Sequence, residues 1–416
     1  MPSFLLHRLE LTPDQLRIVE LSPVDHRVVF GPPGSGKTQV LIHRAAHLRD
    51  TCDVRADRFR ILVFTNVLKD YIRSGLEMVN IPEGNVTTFD RLCTDLYRAH
   101  VSRTLPLNET AKAPDFEAIH KTVLGVARSN TELRGYFDFV LVDEGQDLDS
   151  ESFEILRLLS KHVTVFADHQ QQIFERGASE EQILRTFGLL RRNATLLSAY
   201  RNSPDVARLA SYFIADERLR AEYLNQIKNN HTERERPLCF MASTADEEMN
   251  RLAEVIKQRQ MKNQRIGIIV PQNRQVHGFA KGLANRGIHL EKALGRSGQN
   301  DLGIRADFDN LTPKIASYHS AKGLTFDCVL LPRLCESAFP KFRGDARRRL
   351  LFVGIARATQ WVYLSTIQSN KIDEFGDLKE AARNSHLVVQ WGNMMDLFNQ
   401  PEQVAAAQDD DDDYIL

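Results

Sequence analysis

The chain has 416 residues, 42% hydrophobic and 26% charged, with 54 Lys and Arg against 55 Asp and Glu. That length can bury two or three cores and the balance is a globular one, while no apolar run approaches the ~20 residues of a membrane-spanning helix. Five scattered cysteines without a C-x-x-C pair give no basis for a disulfide frame or a zinc ribbon, and the start lacks a basic-then-apolar leader, so the expected compartment is the cytoplasm with no membrane partner.

Along the chain, apolar runs at 28–30, 61–65, 139–143 and 163–167 alternate with segments of helical pattern. The second half continues with runs at 195–198, 265–270, 314–318, 328–331 and 361–365. Unbroken apolar runs of this length between helices predict parallel strands covered on both faces. Nine strands crowd a single sheet, so the expected architecture is α/β with two lobes, residues 1–193 and 194–370, followed by an extension over 371–416. The stretches 101–135 and 289–311 read as less regular connections. The run Asp409 to Asp413 reads as a solvated end, with competition against nucleic acid for the cleft as the sharper alternative. Setting that run aside leaves 54 basic residues against 50 acidic. This excess is too weak for binding by charge alone, so motifs must decide the partner.

Gly31-Pro32-Pro33-Gly34-Ser35-Gly36-Lys37-Thr38 matches G-x-x-x-x-G-K-[ST] in full, between a strand and a helix. Glycines there turn backbone N–H groups towards phosphate oxygens at the positive end of a helix. Lys37 is expected to reach the β- and γ-phosphates and Thr38 to sit on Mg²⁺, with Gly34, Ser35 and Gly36 lining the cradle. Asp143-Glu144-Gly145-Gln146-Asp147 closes the strand that ends at Val142. Asp143 is placed to hold the metal ion and Glu144 to take a proton from the attacking water. ATP hydrolysis is the expected chemistry. His43 and His47 stand four apart on the following helix, but Arg44 occupies the position of the acid in H-E-x-x-H, so packing or surface histidines are expected there.

The order of motifs resembles the superfamily 1 helicases of the UvrD/Rep/PcrA type, from about Leu11 to Ser365. In that family an N-terminal Gln reads adenine, which the resemblance places at Gln15. Segments at Phe64-Thr65-Asn66 and at Thr88-Phe89-Asp90 are similar to motifs that contact DNA, and Asp168 to Phe174 is similar to one that senses the γ-phosphate, through Gln171. The resemblance makes Arg201, in Tyr200-Arg201-Asn202, and Arg357, in Ala356-Arg357-Ala358, the two arginine fingers. It places His319 and Thr325 in a motif that touches both DNA and nucleotide. It implies two RecA-like lobes with parallel sheets flanked by helices and the ATP cleft between them. Thr65, Asn66, Thr88 and His319 are uncharged donors suited to phosphate contacts, while Phe64, Phe89 and Phe174 suit either base stacking or a core.

Four departures stand out. Thr325 replaces the family's ribose-contacting Glu, Ala356 replaces a Thr, no Trp follows Phe174, and the spans where large members carry accessory domains are short. The resemblance therefore implies a compact ATP-dependent helicase or translocase, stimulated by single-stranded DNA and moving 3′ to 5′, with RNA left open. The alternative is a nucleic-acid-gated ATPase that regulates a partner nuclease or effector in repair or anti-phage defence without processive unwinding.

Overall fold

A computed structural model describes residues 5–108, 113–168, 178–190, 194–196, 202–227, 235–294 and 306–392. The chain divides into two compact units, Met1–Arg201 with Gly295–Asp309, and Asn202–Leu294 with Asn310–Leu416.

The first unit runs α1 (Pro13–Val19), β1 (Arg27–Phe30), α2 (Lys37–Thr51), β2 (Phe59–Leu62), α3 (Asn66–Met78), β3 (Val86–Thr87) and α4 (Phe89–His100). It continues with β4 (Leu107–Asn108), β5 (Ala113–Pro114), α5 (Phe116–Ser129), β6 (Phe137–Val142), α6 (Ser150–Leu159), β7 (Ser160–Ala167), α7 (Glu180–Thr186) and β8 (Ala194–Thr195). Strands β4 and β5 form a small antiparallel pair. The other six make one sheet in the order β3-β2-β6-β7-β1-β8, and every pairing is parallel. Register is set by apolar residues buried on both faces, with Val28 opposite Val165, Val140 opposite Val163 and Leu62 opposite Val142. Because all six strands point one way, the loops leaving β1, β6 and β7 emerge beside each other on one edge.

The second unit runs α8 (Pro204–Ser211), α9 (Glu217–Gln226), β9 (Leu238–Ala242), α10 (Ala245–Met261), β10 (Ile266–Val270), α11 (Asn273–Ala284) and β11 (Glu291–Ala293). Then follow β12 (Lys314–Ser317), β13 (Phe326–Leu331), α12 (Gly344–Ile355), β14 (Ala358–Ile367), α13 (Phe375–Arg383) and β15 (Val388–Trp391). Its seven strands are again all parallel, in the order β11-β12-β10-β13-β14-β9-β15. The α/β class with two parallel sheets flanked by helices is the one read from the sequence.

Several elements were not: β11 lies in the stretch 289–311 expected to be irregular, α13 and β15 lie in the expected extension after 370, and two further cases have a clear physical reason. The stretch 101–135 holds a 14-residue helix, α5, where an irregular connection was expected. Asp115 caps it by accepting the Ala118 N–H, and Ile119, Val123, Leu124 and Ala127 form a helical stripe buried in the first core. Strand β9 was missed because Leu-Cys-Phe-Met-Ala is poor in β-branched residues. Its five residues are all buried, and pairing with β14 and β15 on either side makes it a strand.

Candidate active site

The β1–α2 loop carries the phosphate motif. Gly34 and Gly36 take φ of +79° and +85°, which only glycine adopts without strain. A side chain on Gly36 would also strike Gln15 Nε2, 2.5 Å from its Cβ position. Ser35 is buried, and its hydroxyl has no hydrogen-bond partner among the described residues. A cradle of left-handed turns with an orphan hydroxyl at the start of a 15-residue helix fits a phosphate group.

The carboxylates meet this loop from β6 and β7. Thr38 donates its hydroxyl to Asp143 Oδ2 at 2.8 Å. Lys37 Nζ donates to the carbonyls of Gly31 (2.8 Å) and Pro32 (3.0 Å) and pairs with Asp168 Oδ2 at 3.2 Å. Burial first, and then the Glu144 charge, push the Asp143 carboxyl up to about 6, against the pull of the Thr38 hydroxyl and the Lys37 ammonium. A cation beside Asp143 would reverse that logic. One hydroxyl and one carboxylate are a spare set for a resident metal but suit Mg²⁺, which keeps its waters and takes most other ligands from substrate phosphates. Glu144 is buried and holds a left-handed backbone at φ +53°, an uncommon conformation for a glutamate.

Gln15 lies beside the cradle. Its carbonyl oxygen accepts the Thr12 N–H in the capping box of α1, and its Nε2 donates to Ser35 O at 3.0 Å. That leaves one amide N–H and one lone pair for a further partner.

Thr65 and Thr88 follow β2 and β3 on the same sheet edge and cap α3 and α4, accepting the N–H groups of Leu68 (3.0 Å) and Arg91 (3.3 Å). Asn66 is exposed and Phe64 half-buried. Phe89 belongs to the core, with its ring edge-on to His120 at 4.9 Å, so stacking on a base is not its role. His43 bonds the Leu6 carbonyl through Nε2, at 2.9 Å.

In the second unit, Thr325 and Arg357 immediately precede the neighbouring strands β13 and β14, whose first residues Phe326 and Ala358 are opposite each other. Arg357 is buried, and its Nε donates to Val353 O at 3.1 Å. Asn202 is fully buried and its Nδ2 donates to the carbonyls on both sides of that arginine, Ala356 (3.0 Å) and Ala358 (2.6 Å). His319 is half-buried; burial, and then the Lys322 charge, lower its pKa. Gln171, Phe174 and Arg201 lie outside the described residues, as does the Asp409–Asp413 run. The sequence reading assigned no role to Gln146, Asp168 or Asn202. Gln146 and Asp168 are 22 positions apart and meet only because β6 and β7 are neighbours.

A parallel sheet whose first loop forms this cradle, with carboxylates delivered by the next two strands inward, defines the class as a phosphate-loop α/β protein. The chain belongs to the UvrD-like helicase family: the UvrD/REP helicase N-terminal domain matches residues 11–131 and 108–188, and the UvrD-like helicase C-terminal domain matches residues 306–369. A "Probable DNA helicase II homolog" of Mycoplasma capricolum is 26% identical over 218 residues, covering 49% of this chain and 29% of that protein. A "Probable DNA helicase" of Mycoplasma pneumoniae is 22% identical over 301 residues, covering 66% of this chain and 52% of that protein. The "ATP-dependent DNA helicase srs2" of Schizosaccharomyces pombe is 47% identical over 58 residues, 13% of this chain and 6% of that protein. The chain thus spans about half or less of the length of these relatives.

Proposed function

We propose that this chain is an ATP-dependent DNA helicase or translocase, hydrolysing ATP in response to single-stranded DNA and moving 3′ to 5′. The observation that carries the reading is the network joining Lys37, Thr38, Asp143, Glu144 and Asp168 around the loop of β1. In this reading the phosphates of ATP lie on the loop of β1. Lys37 exchanges Asp168 for a phosphate, which is cheap because the buried ammonium keeps an anionic partner throughout. Thr38 and Asp143 would hold Mg²⁺, which when bound offsets charge on the phosphates. Glu144 takes the proton of the attacking water and Gln171 reads the γ-phosphate. Arg201 and Arg357 supply guanidinium charge, and Asn202 holds Arg357 by the backbone on either side. Gln15 reads the base, and Thr325 lies near the sugar. Thr65, Asn66, Thr88 and His319 take backbone phosphates, with Phe64 and Phe174 against bases.

The test is turnover against a panel of single-stranded and duplex DNA and RNA, with strand displacement on tailed duplexes of both polarities. Single-stranded DNA is expected to raise ATP turnover, and a 3′ tail to support displacement. Lys37→Ala is expected to abolish hydrolysis. Glu144→Gln is expected to lose roughly 10²–10⁴ in turnover while still binding nucleotide. Turnover indifferent to every polynucleotide sinks the proposal. Stimulated turnover without displacement points instead to the gated subunit of a partner nuclease or effector.

A further inference from the structure

Beside His319 stands an aromatic residue with no assigned role. Residues 332–343 join β13 to α12 and leave the sheet at the same edge as the β12 loop that carries His319, since β12, β10 and β13 run parallel. This segment is fastened along its length. Glu248, fully buried on α10, accepts the Arg333 backbone N–H at 2.7 Å and its Nε at 2.5 Å, holding Arg333 in a left-handed conformation at φ +57°. Leu334 N donates to Ser365 O of β14 at 2.8 Å, and Gln275 Nε2 of α11 donates to Ala338 O at 3.1 Å. Phe339 is buried with its ring 6.1 Å from that of Tyr318, and Phe342 N donates to Phe339 O, closing a turn. The next aromatic lies outside the core: Phe342 is half-buried, its ring centroid 6.3 Å from that of His319 and tilted 46° to it. Its neighbours Lys341 and Arg343 are exposed. Tyr318 and His319 are thus matched by Phe339 and Phe342, one pair inside and one at the surface.

We propose that Phe342 is a base-stacking residue: its ring takes a base of the strand whose phosphate His319 holds. The inference rests on the proposed strand contact of His319 and deepens it, because it names the unpaired nucleobase as the group that the second unit recognises. Three physical points carry it. The separation of the two rings is about two phosphate spacings of a stacked strand, at ~3.4 Å each, so neighbouring nucleotides can reach both. The segment is already fixed at Arg333, Leu334, Ala338 and Phe339, so little ordering cost remains when a base arrives. A polyanion approaching the tip meets the exposed cations Lys341 and Arg343 on either side of an apolar ring, the pairing of charge and π face that tracks a single strand. The ring has a consequence for specificity. A π face stacks on any base, so the site is indifferent to sequence, but in a duplex the faces of the bases are covered by their neighbours. Phe342 therefore favours single-stranded over duplex nucleic acid without reading either.

The experiment measures, by fluorescence anisotropy, the affinity of the full chain for two probes: oligothymidylate, and an abasic oligomer of equal length that keeps every sugar and phosphate. Wild type is compared with Phe342→Leu, which keeps apolar bulk and removes the π face. Two proteins against two probes form a cycle that isolates the contact between the ring and a base. Phe342→Leu is expected to bind oligothymidylate ~10-fold more weakly and the abasic oligomer within about twofold of wild type. A structural role would weaken both probes alike, so equal losses overturn the inference, as does unchanged affinity for oligothymidylate or a wild type that binds the two probes equally. Should Phe342→Leu fail to fold, Phe342→Trp carries the test. Its added indole emission, above that of Trp361 and Trp391, is expected to be quenched by oligothymidylate and not by the abasic oligomer; an unquenched indole overturns the inference. A wild type that binds neither probe sinks the strand reading itself and this inference with it, whereas tight binding of oligothymidylate by both proteins leaves that reading standing and removes only Phe342.

Discussion

A threonine hydroxyl can serve two partners at once, and at the carboxyl ends of β2 and β3 this decides what a substitution tests. Thr65 Oγ1 accepts from Leu68 N and Thr88 Oγ1 from Arg91 N, which leaves each O–H free to donate. The proposed contact to a strand phosphate uses that O–H, and the cap uses a lone pair. Thr65→Ala removes both, costing ~1 kcal/mol of stability with any loss of binding. Thr65→Asp separates them: aspartate caps a helix as well as threonine but offers a phosphate only repulsion. Its melting temperature is expected to match wild type while oligonucleotide affinity, read by fluorescence anisotropy, drops. Unchanged affinity in Thr65→Asp would remove Thr65 from the interface. The phosphate loop was legible in the sequence because its residues lie within a few positions of one another. The bonds of Gln146 were not, because the Asp168 N–H arrives from the next strand.

At the scale of elements, the helix after the phosphate loop does more than present phosphate ligands. Arg44 of α2 is fully buried, and its Nη1 donates to the carbonyls of Ile18, Val19 and Leu21 where α1 ends. Its Nε donates to Thr164 Oγ1 and its Nη2 to His162 Nε2, both on β7. One guanidinium thereby fastens the helix bearing Gln15 to the cradle and to the sheet, and the C-terminal carbonyls of α1 favour its charge. Burial first, then the Arg27 charge, lower the Arg44 pKa to about 10, so it stays ionised at neutral pH. Read from the sequence, Arg44 has no role beyond interrupting an H-E-x-x-H pattern; no local pattern marks a buried arginine whose partners are carbonyls.

This staple sets a pH dependence. His162 must keep a lone pair on Nε2 to accept from Arg44 and from the Thr164 hydroxyl at 2.8 Å, so the folded state requires neutral imidazole. Burial, and then the Arg44 charge, push its pKa down to about 3 from the usual 6.5. A histidine depressed in this way stabilises the fold fully above 6.5, and that contribution is lost as pH falls from 6.5 towards 3. The urea midpoint is expected to decline across that window. His162→Gln, which can still accept through its carbonyl oxygen, is expected to decline less. Parallel acid profiles for the two proteins would assign the decline to other groups.

Across the whole molecule, charge is nearly balanced, and the expected contacts to a polynucleotide are uncharged donors and aromatic faces. That combination has a thermodynamic signature. Each phosphate neutralised by a lysine or arginine releases counterions, so the logarithm of affinity falls with the logarithm of salt by roughly 0.7 per neutralised phosphate on a single strand. Hydroxyl, amide and neutral imidazole donors release none. His319, held below its usual pKa by burial and then by Lys322, is uncharged at neutral pH and belongs with them. A titration of oligothymidylate binding against salt is therefore expected to give a shallow slope, about −2 or flatter. Affinity should survive physiological ionic strength because stacking carries it. A slope near −6 would mean that a basic surface, rather than the residues at the carboxyl ends of β2, β3 and β12, holds the strand.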